Sequence, residues 1–104
     1  MRKFLLFVVF IIIGLFITGC EPLEDAVYRV LYYGNGNTSG FAHTDDTEYK
    51  AGMEATILDE NTLLKTGFTF KCWNTNKTGT GTSYNVGDKV EIIDRNIFLY
   101  AVWE

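Results

Sequence analysis

A small, mainly β fold is predicted for this chain by three features. Two runs are dense in β-branched and aromatic residues, VYRVLYY at 27–33 and NIFLYAVW at 96–103. A third, FTFKCW at 68–73, is shorter but of the same kind. Between them lie stretches rich in glycine, asparagine and threonine, which break regular structure. The expected architecture is a sheet of four or five strands with long loops and at most one short helical turn.

The first twenty residues stand apart from that sheet. Arg2 and Lys3 form a short basic start, and an apolar run from Phe4 to Ile17 follows. That run has 14 residues, whereas a membrane span needs about 20. The layout is therefore that of a secretory signal peptide rather than a permanent span. It closes on Ile17-Thr18-Gly19-Cys20, which resembles a bacterial lipobox: an aliphatic residue, a small residue, glycine, then cysteine. The resemblance implies a signal peptide over 1–19, cleavage before Cys20, and lipid on the Cys20 sulfur and the new amino group. A thiolate is a good nucleophile for that transfer, and several acyl chains hold a protein at a bilayer where one chain holds it poorly. An ordinary signal peptide with an incidental cysteine is the alternative. On the lipoprotein reading the protein is extracytoplasmic, anchored in the bacterial cell envelope.

The remaining chain, Cys20 to Glu104, carries seven basic against thirteen acidic side chains, a formal charge of −6. An acidic module without a basic patch is a poor partner for nucleic acid or for an anionic lipid surface, so attachment falls to lipid. With Cys20 lipidated, Cys72 has no intramolecular partner.

Residues 20–26 contain the single proline and read as a tether between lipid and fold. The β domain then runs from 27 to 104. In its first strand Tyr28, Val30 and Tyr32 share one face, with Arg29, Leu31 and Tyr33 on the other. Gly34-Asn35-Gly36-Asn37 supplies a turn. Thr38 to Lys50 is a polar loop, and Glu54 to Leu58 a short strand. Asp59 to Lys65 suits one helical turn, with Asp59 as N-cap and Gly67 as stop signal. In the third run, alternation puts Cys72 on one face with Phe68 and Phe70, and Lys71 and Trp73 opposite. Asn74 to Val86 is a loop, Lys89 to Ile93 a weak strand, and Asn96 to Trp103 a last strand apolar on both faces. Such a strand is covered on both sides, or partly by a neighbouring molecule.

Taken together, Tyr28-Arg29-Val30, Tyr33-Gly34-Asn35-Gly36, Leu64-Lys65-Thr66-Gly67-Phe68-Thr69-Phe70, Trp73-Asn74-Thr75, Gly79-Thr80-Gly81-Thr82-Ser83-Tyr84, Gly87-Asp88 and Leu99-Tyr100-Ala101-Val102-Trp103 form a series. In order and spacing it resembles the Listeria–Bacteroides repeat, also called the internalin B-type B-repeat, over about residues 28–103. The resemblance implies a compact β-grasp-like module of bacterial surface proteins, used as a stalk or an interaction unit, with no enzymatic activity attached. Two departures stand out: the chain holds a single copy, and Cys72 occupies a position where the family usually has glycine.

The chemistry-bearing residues favour binding over catalysis. Gly34-x-Gly36 and Gly79-x-Gly81 lack the third glycine and following helix of a dinucleotide fingerprint, so they read as turns and imply no cofactor. His43, the only histidine, lies near Asp45, Asp46 and Glu48, but the spacing matches no metal loop and reads as solvated. No nucleophile–base arrangement is evident, so neither a catalytic residue nor a metal ligand is assigned and the protein is not expected to be an enzyme. Aromatic residues are abundant. Core packing takes most of them, particularly Phe70, Trp73 and Tyr100, while Tyr33, Tyr84 and Trp103 are the candidates for an exposed interaction face. Cys72 on an apolar face reads as an inert small hydrophobe, with an intermolecular disulfide as the alternative. The expected function is a lipid-anchored surface module that binds a protein or an envelope glycan without chemistry. The alternative is a structural lipoprotein that self-associates without a separate ligand.

Overall fold

The computed structural model of the protein describes residues 26–104. The signal peptide expected over 1–19, the lipidation site Cys20 and nearly all of the 20–26 tether lie outside the described residues. Six short strands follow: β1 (Val30–Tyr33), β2 (Glu54–Thr56), β3 (Phe70–Asn74), β4 (Ser83–Tyr84), β5 (Lys89–Glu91) and β6 (Ile97–Trp103). They form a four-stranded sheet in the order β1-β6-β3-β4 and a two-stranded sheet of β2 with β5. The fold is mainly β, as expected. The additional strand is β4, two residues inside what reads in sequence as an unbroken loop.

β6 is the centre of the large sheet. It pairs in parallel with β1, Val30 opposite Ile97 and Tyr33 opposite Tyr100. On its other side it pairs antiparallel with β3, Trp73 opposite Ala101 and Asn74 opposite Tyr100. Alternation gives each strand an inner row. Val30 and Tyr32 of β1, Leu99 and Ala101 of β6, and Trp73 of β3 are buried in one cluster. The small sheet closes over that row with Ala55, together with Ile57 and Ile92 just beyond the strand ends. Two hydrogen bonds join the layers: the Trp73 indole Nε1 donates to the Leu58 carbonyl at 2.8 Å, and the Leu58 amide donates to the Tyr32 hydroxyl at 3.0 Å. Buried indole and phenol groups need such partners.

Three expectations are corrected. No helix forms among the described residues. Asp59 does accept from a following amide, that of Asn61 at 2.9 Å, but Asn61 adopts φ +56° and the chain turns tightly, Leu63 amide to Glu60 carbonyl at 3.0 Å. A left-handed residue at that point ends a helix before it can start. Second, the register of β3 shifts between Phe70 and Cys72, where two residues of β3 span one step of β6. This bulge places the Phe70 ring against Trp73, 5.1 Å centroid to centroid, rather than on the Cys72 face. Third, Tyr100 belongs to the outward row of β6, not to the core.

Loops are fixed by side-chain bonds. Asn35 and Gly36 take positive φ in the first turn, and Asn35 Nδ2 donates to the carbonyls of Lys77 and Ala101. Asn74, fully buried, serves the 74–83 loop. Its Oδ1 accepts from the amides of Asn76 and Gly81, and its Nδ2 donates to the Gly81 carbonyl and the Ser83 hydroxyl. Gly40 is forced by both conformation and space: φ is +82°, and a Cβ there would lie 1.8 Å from the Thr62 carbonyl oxygen. Gly79 also has positive φ, +80°, but open space around it. Gly79→Ala should therefore cost ~1 kcal/mol in urea unfolding, and Gly40→Ala at least about 3 kcal/mol. Equal losses would show that the backbone contact at Gly40 is unimportant.

Candidate functional site

Two surfaces bear on function. The first is a cleft along the outer edge of β1. One part, about 450 Å³, lies between Arg29–Tyr33 and the loop His43–Asp46. A second part of about 610 Å³ shares Tyr32, Tyr33, His43 and Thr44 and continues past Gly40, Phe41 and Leu63. The loop that walls it is pinned at its far end by a pair of backbone bonds between Tyr28 and Tyr49, 2.7 and 2.9 Å. The Arg29 guanidinium adds a bond to the Asp46 carbonyl and an exposed ion pair to Glu48 at 3.2 Å.

The walls of this cleft are mixed, with Val30, Leu31 and Leu63 beside Arg29, His43, Asp45 and Asp46, and Phe41 also lines it. Phe41 is 80% exposed and is held through its backbone: its amide donates to the Thr62 hydroxyl and its carbonyl accepts from the Asn61 side-chain amide. Asp45 accepts from the Tyr49 hydroxyl at 2.7 Å and from the Thr47 amide at 3.0 Å. Burial alone would push its carboxyl up, but the Tyr49 hydroxyl, the Thr47 amide and hydroxyl, and the charge of Arg29 outweigh burial and hold it below the ordinary range. Burial, then the bond to Asp45, raises the Tyr49 phenol. His43 Nε2 meets Asp59 at 2.6 Å. The Asn61 amide, then His43, keeps the Asp59 carboxyl low. No hydrogen bond links His43 to a hydroxyl or thiol among the described residues, and there no group of three His, Cys, Asp or Glu is placed to hold a metal ion. The site can accept hydrogen bonds and stack an apolar surface.

The second surface is the outward face of the large sheet. Leu31, Tyr33, Phe98, Tyr100 and Val102 form it, with Cys72 beside Val102. Tyr33 is 41% and Phe98 44% exposed. The Tyr33 ring stacks on Tyr100 at 5.2 Å and on Phe98 at 6.4 Å, each pair inclined by 19°. Cys72 lies on this face, opposite the core that alternation suggested, yet it is only 6% exposed.

Of the aromatics singled out in the sequence, Tyr33 stands where both surfaces meet. Tyr84 and Trp103 are half-buried and pack against the core instead. Tyr84 lies opposite Trp73. Trp103 donates to the Gly34 carbonyl at 2.9 Å and meets Phe70 edge-on. Phe98 is not among the three candidates of the sequence reading, and Phe41 is absent from it. The available signal for Phe41 was a lone phenylalanine in a polar loop.

Residues 28–102 match the family described as the Listeria-Bacteroides repeat domain. Two proteins of Evansella cellulosilytica are also similar. One, provisionally described as a Gly-rich membrane protein, is 38% identical over 77 residues, 74% of this chain and 9% of its own length. The other, provisionally described as a membrane protein, is 34% identical over 76 residues, 73% of this chain and 11% of its own. The chain thus spans about a tenth of the length of these relatives. No solved structure matches.

Two outcomes are expected. The Asp45 carboxyl releases its proton more readily folded than unfolded. Its stabilisation is thus full above the ordinary carboxylate value of about 3.9 and is lost as pH falls through the lower folded one. Asp45→Asn should flatten the fall in urea midpoint below about pH 4; an unchanged slope would remove Asp45 from the account. The Cys72 thiol should react with an aromatic disulfide reagent only at the rate of unfolding, and reaction at the rate of a free thiol would contradict its burial.

Proposed function

The chain belongs to the Listeria-Bacteroides repeat domain family, and on that premise we propose that it is a lipid-anchored, non-catalytic binding module of the bacterial cell envelope. Lipid on Cys20 holds it at the membrane, and the cleft beside β1 takes a protein or an envelope glycan. The membrane-protein descriptions of the two Evansella relatives favour an envelope setting.

The observation that carries the reading is Phe41. An 80% exposed phenylalanine at the mouth of a cleft walled by Asp45, Asp46 and His43 is costly to leave in water and useful to a partner. Its ring offers an apolar anchor, and the carboxylates accept hydrogen bonds from hydroxyls or amides of the bound molecule. The burial of Cys72 favours ligand binding over assembly through disulfides.

The test is binding of full-length protein, in a neutral detergent, to immobilised envelope polysaccharide and to envelope protein extract. Phe41→Ala should weaken capture about tenfold, the effect of one anchor residue worth ~1.4 kcal/mol, while leaving the unfolding midpoint unchanged. Capture that is absent, or indifferent to Phe41, would sink the assignment.

A further inference from the structure

The outward face of the large sheet is anomalous. A sheet covered on one side usually turns polar residues to water on the other. Here the outward positions of β1, β6 and β3 are Leu31, Tyr33, Phe98, Tyr100, Val102 and Cys72, with Asn74 turned into its own loop. None is charged. The charges nearest it are Lys71, exposed at the bulge of β3, and Lys65 and Lys77, which line a depression with Val102; the Arg29–Glu48 pair stands at one end and Glu104 at the other.

We infer that this face rests on the lipid bilayer, with Tyr33, Phe98 and Tyr100 in the interfacial layer. The inference rests on the anchoring at Cys20 proposed above. Three observations select the bilayer as occupant. The first is reach. From Cys20 to Tyr28 the chain is eight residues long, about 29 Å at full extension, and a domain of this size is about 30 Å across. The fold therefore never leaves the neighbourhood of the membrane that holds its lipid. The chain comes in beside Leu31 and Phe98, the first outward pair of the sheet, so the apolar face begins where the tether ends.

The second is chemistry. Tyr33 stacks on both Phe98 and Tyr100, so the middle ring of the row has both partners taken and the tyrosines add hydroxyl tips. A ring whose faces are occupied is a poor platform for a sugar. An apolar body with a polar tip suits the boundary between headgroups and acyl chains.

The third is charge placement. Glu54 and Glu91 lie directly opposite each other on the small sheet, across the core from this face, and Asp45 and Asp46 line the cleft at its side. Face-down seating keeps these carboxylates in water and leaves the cleft open laterally. The excess of acid predicts a preference for uncharged lipid.

The test uses full-length lipidated protein in phosphatidylcholine vesicles, in a Cys72→Ala background. A bimane label is placed at Phe98→Cys on the outward face or at Thr56→Cys on β2, and nitroxide-bearing phosphatidylcholine is the quencher. Quenching at 98 should exceed that at 56 several-fold, and Tyr33→Asp should abolish the difference while the protein still floats with the vesicles. Equal or absent quenching in protein that floats would overturn the seating but leave the anchor intact. Protein that does not float would remove the anchor and the seating together. A label at 98 shielded equally in vesicles and in dilute detergent would assign the face to a second copy of the chain and overturn the proposal.

Discussion

The backbone of Leu58 is held from both sides, and the two-layer structure depends on it. Its amide is bonded to Tyr32 of β1 and its carbonyl to Trp73 of β3. These two side chains meet edge to face at 4.9 Å. The backbone of one residue thus locks the small sheet, through the segment that follows β2, to two strands of the large one. The two sheets share no strand pairing, so this bracket and the Tyr28–Tyr49 bridge add directed bonds to the apolar contact between them. Trp73 is also the largest fully buried side chain, so its loss would combine a cavity with an orphaned carbonyl.

The bulge in β3 decides which aromatic belongs to which surface. By slipping one residue, it brings Phe70 to the same side as Trp73, and Trp103 closes against Phe70 at 6.0 Å. The core thereby gains a row of rings at the end of the sheet farthest from β4. The outward row keeps Cys72, small enough to be covered by its neighbours. A glycine would serve there too, and the thiol adds a methyl-sized apolar group without changing the register.

Much of this was legible in the sequence, for physical reasons that differ by element. β1, β3 and β6 announce themselves because β-branched and aromatic side chains crowd a helix and suit a pleat. The inner and outer rows of β1 follow from alternation alone. The bulge was not legible: Phe70-Lys71-Cys72 alternates cleanly on paper, and only pairing with β6 exposes the extra residue. Nor was the fate of Tyr100, since Leu99 and Tyr100 are both apolar and the strand carries no polar marker of its outer side. Asp59 was read rightly as a residue that accepts from following amides, but the same bond serves a helix or a turn. The cleft brings together Tyr33, Phe41 and Asp45 through the Tyr28–Tyr49 bridge, a long-range pairing that no local pattern records.

The parallel pairing of β1 with β6 fixes how the fold answers to force. The chain comes in at one end of the sheet, beside Val30, and leaves at the other, beyond Trp103, and these two strands are neighbours. A pull between the two ends runs along both strands, in opposite directions. It loads the whole parallel ladder in shear, so its hydrogen bonds must fail together, where a zipper geometry would break them one at a time. Tyr33, wedged between Phe98 and Tyr100 across that seam, adds ring-on-ring friction to the same sliding coordinate. Strands paired in this way resist sliding with every bond of the ladder at once.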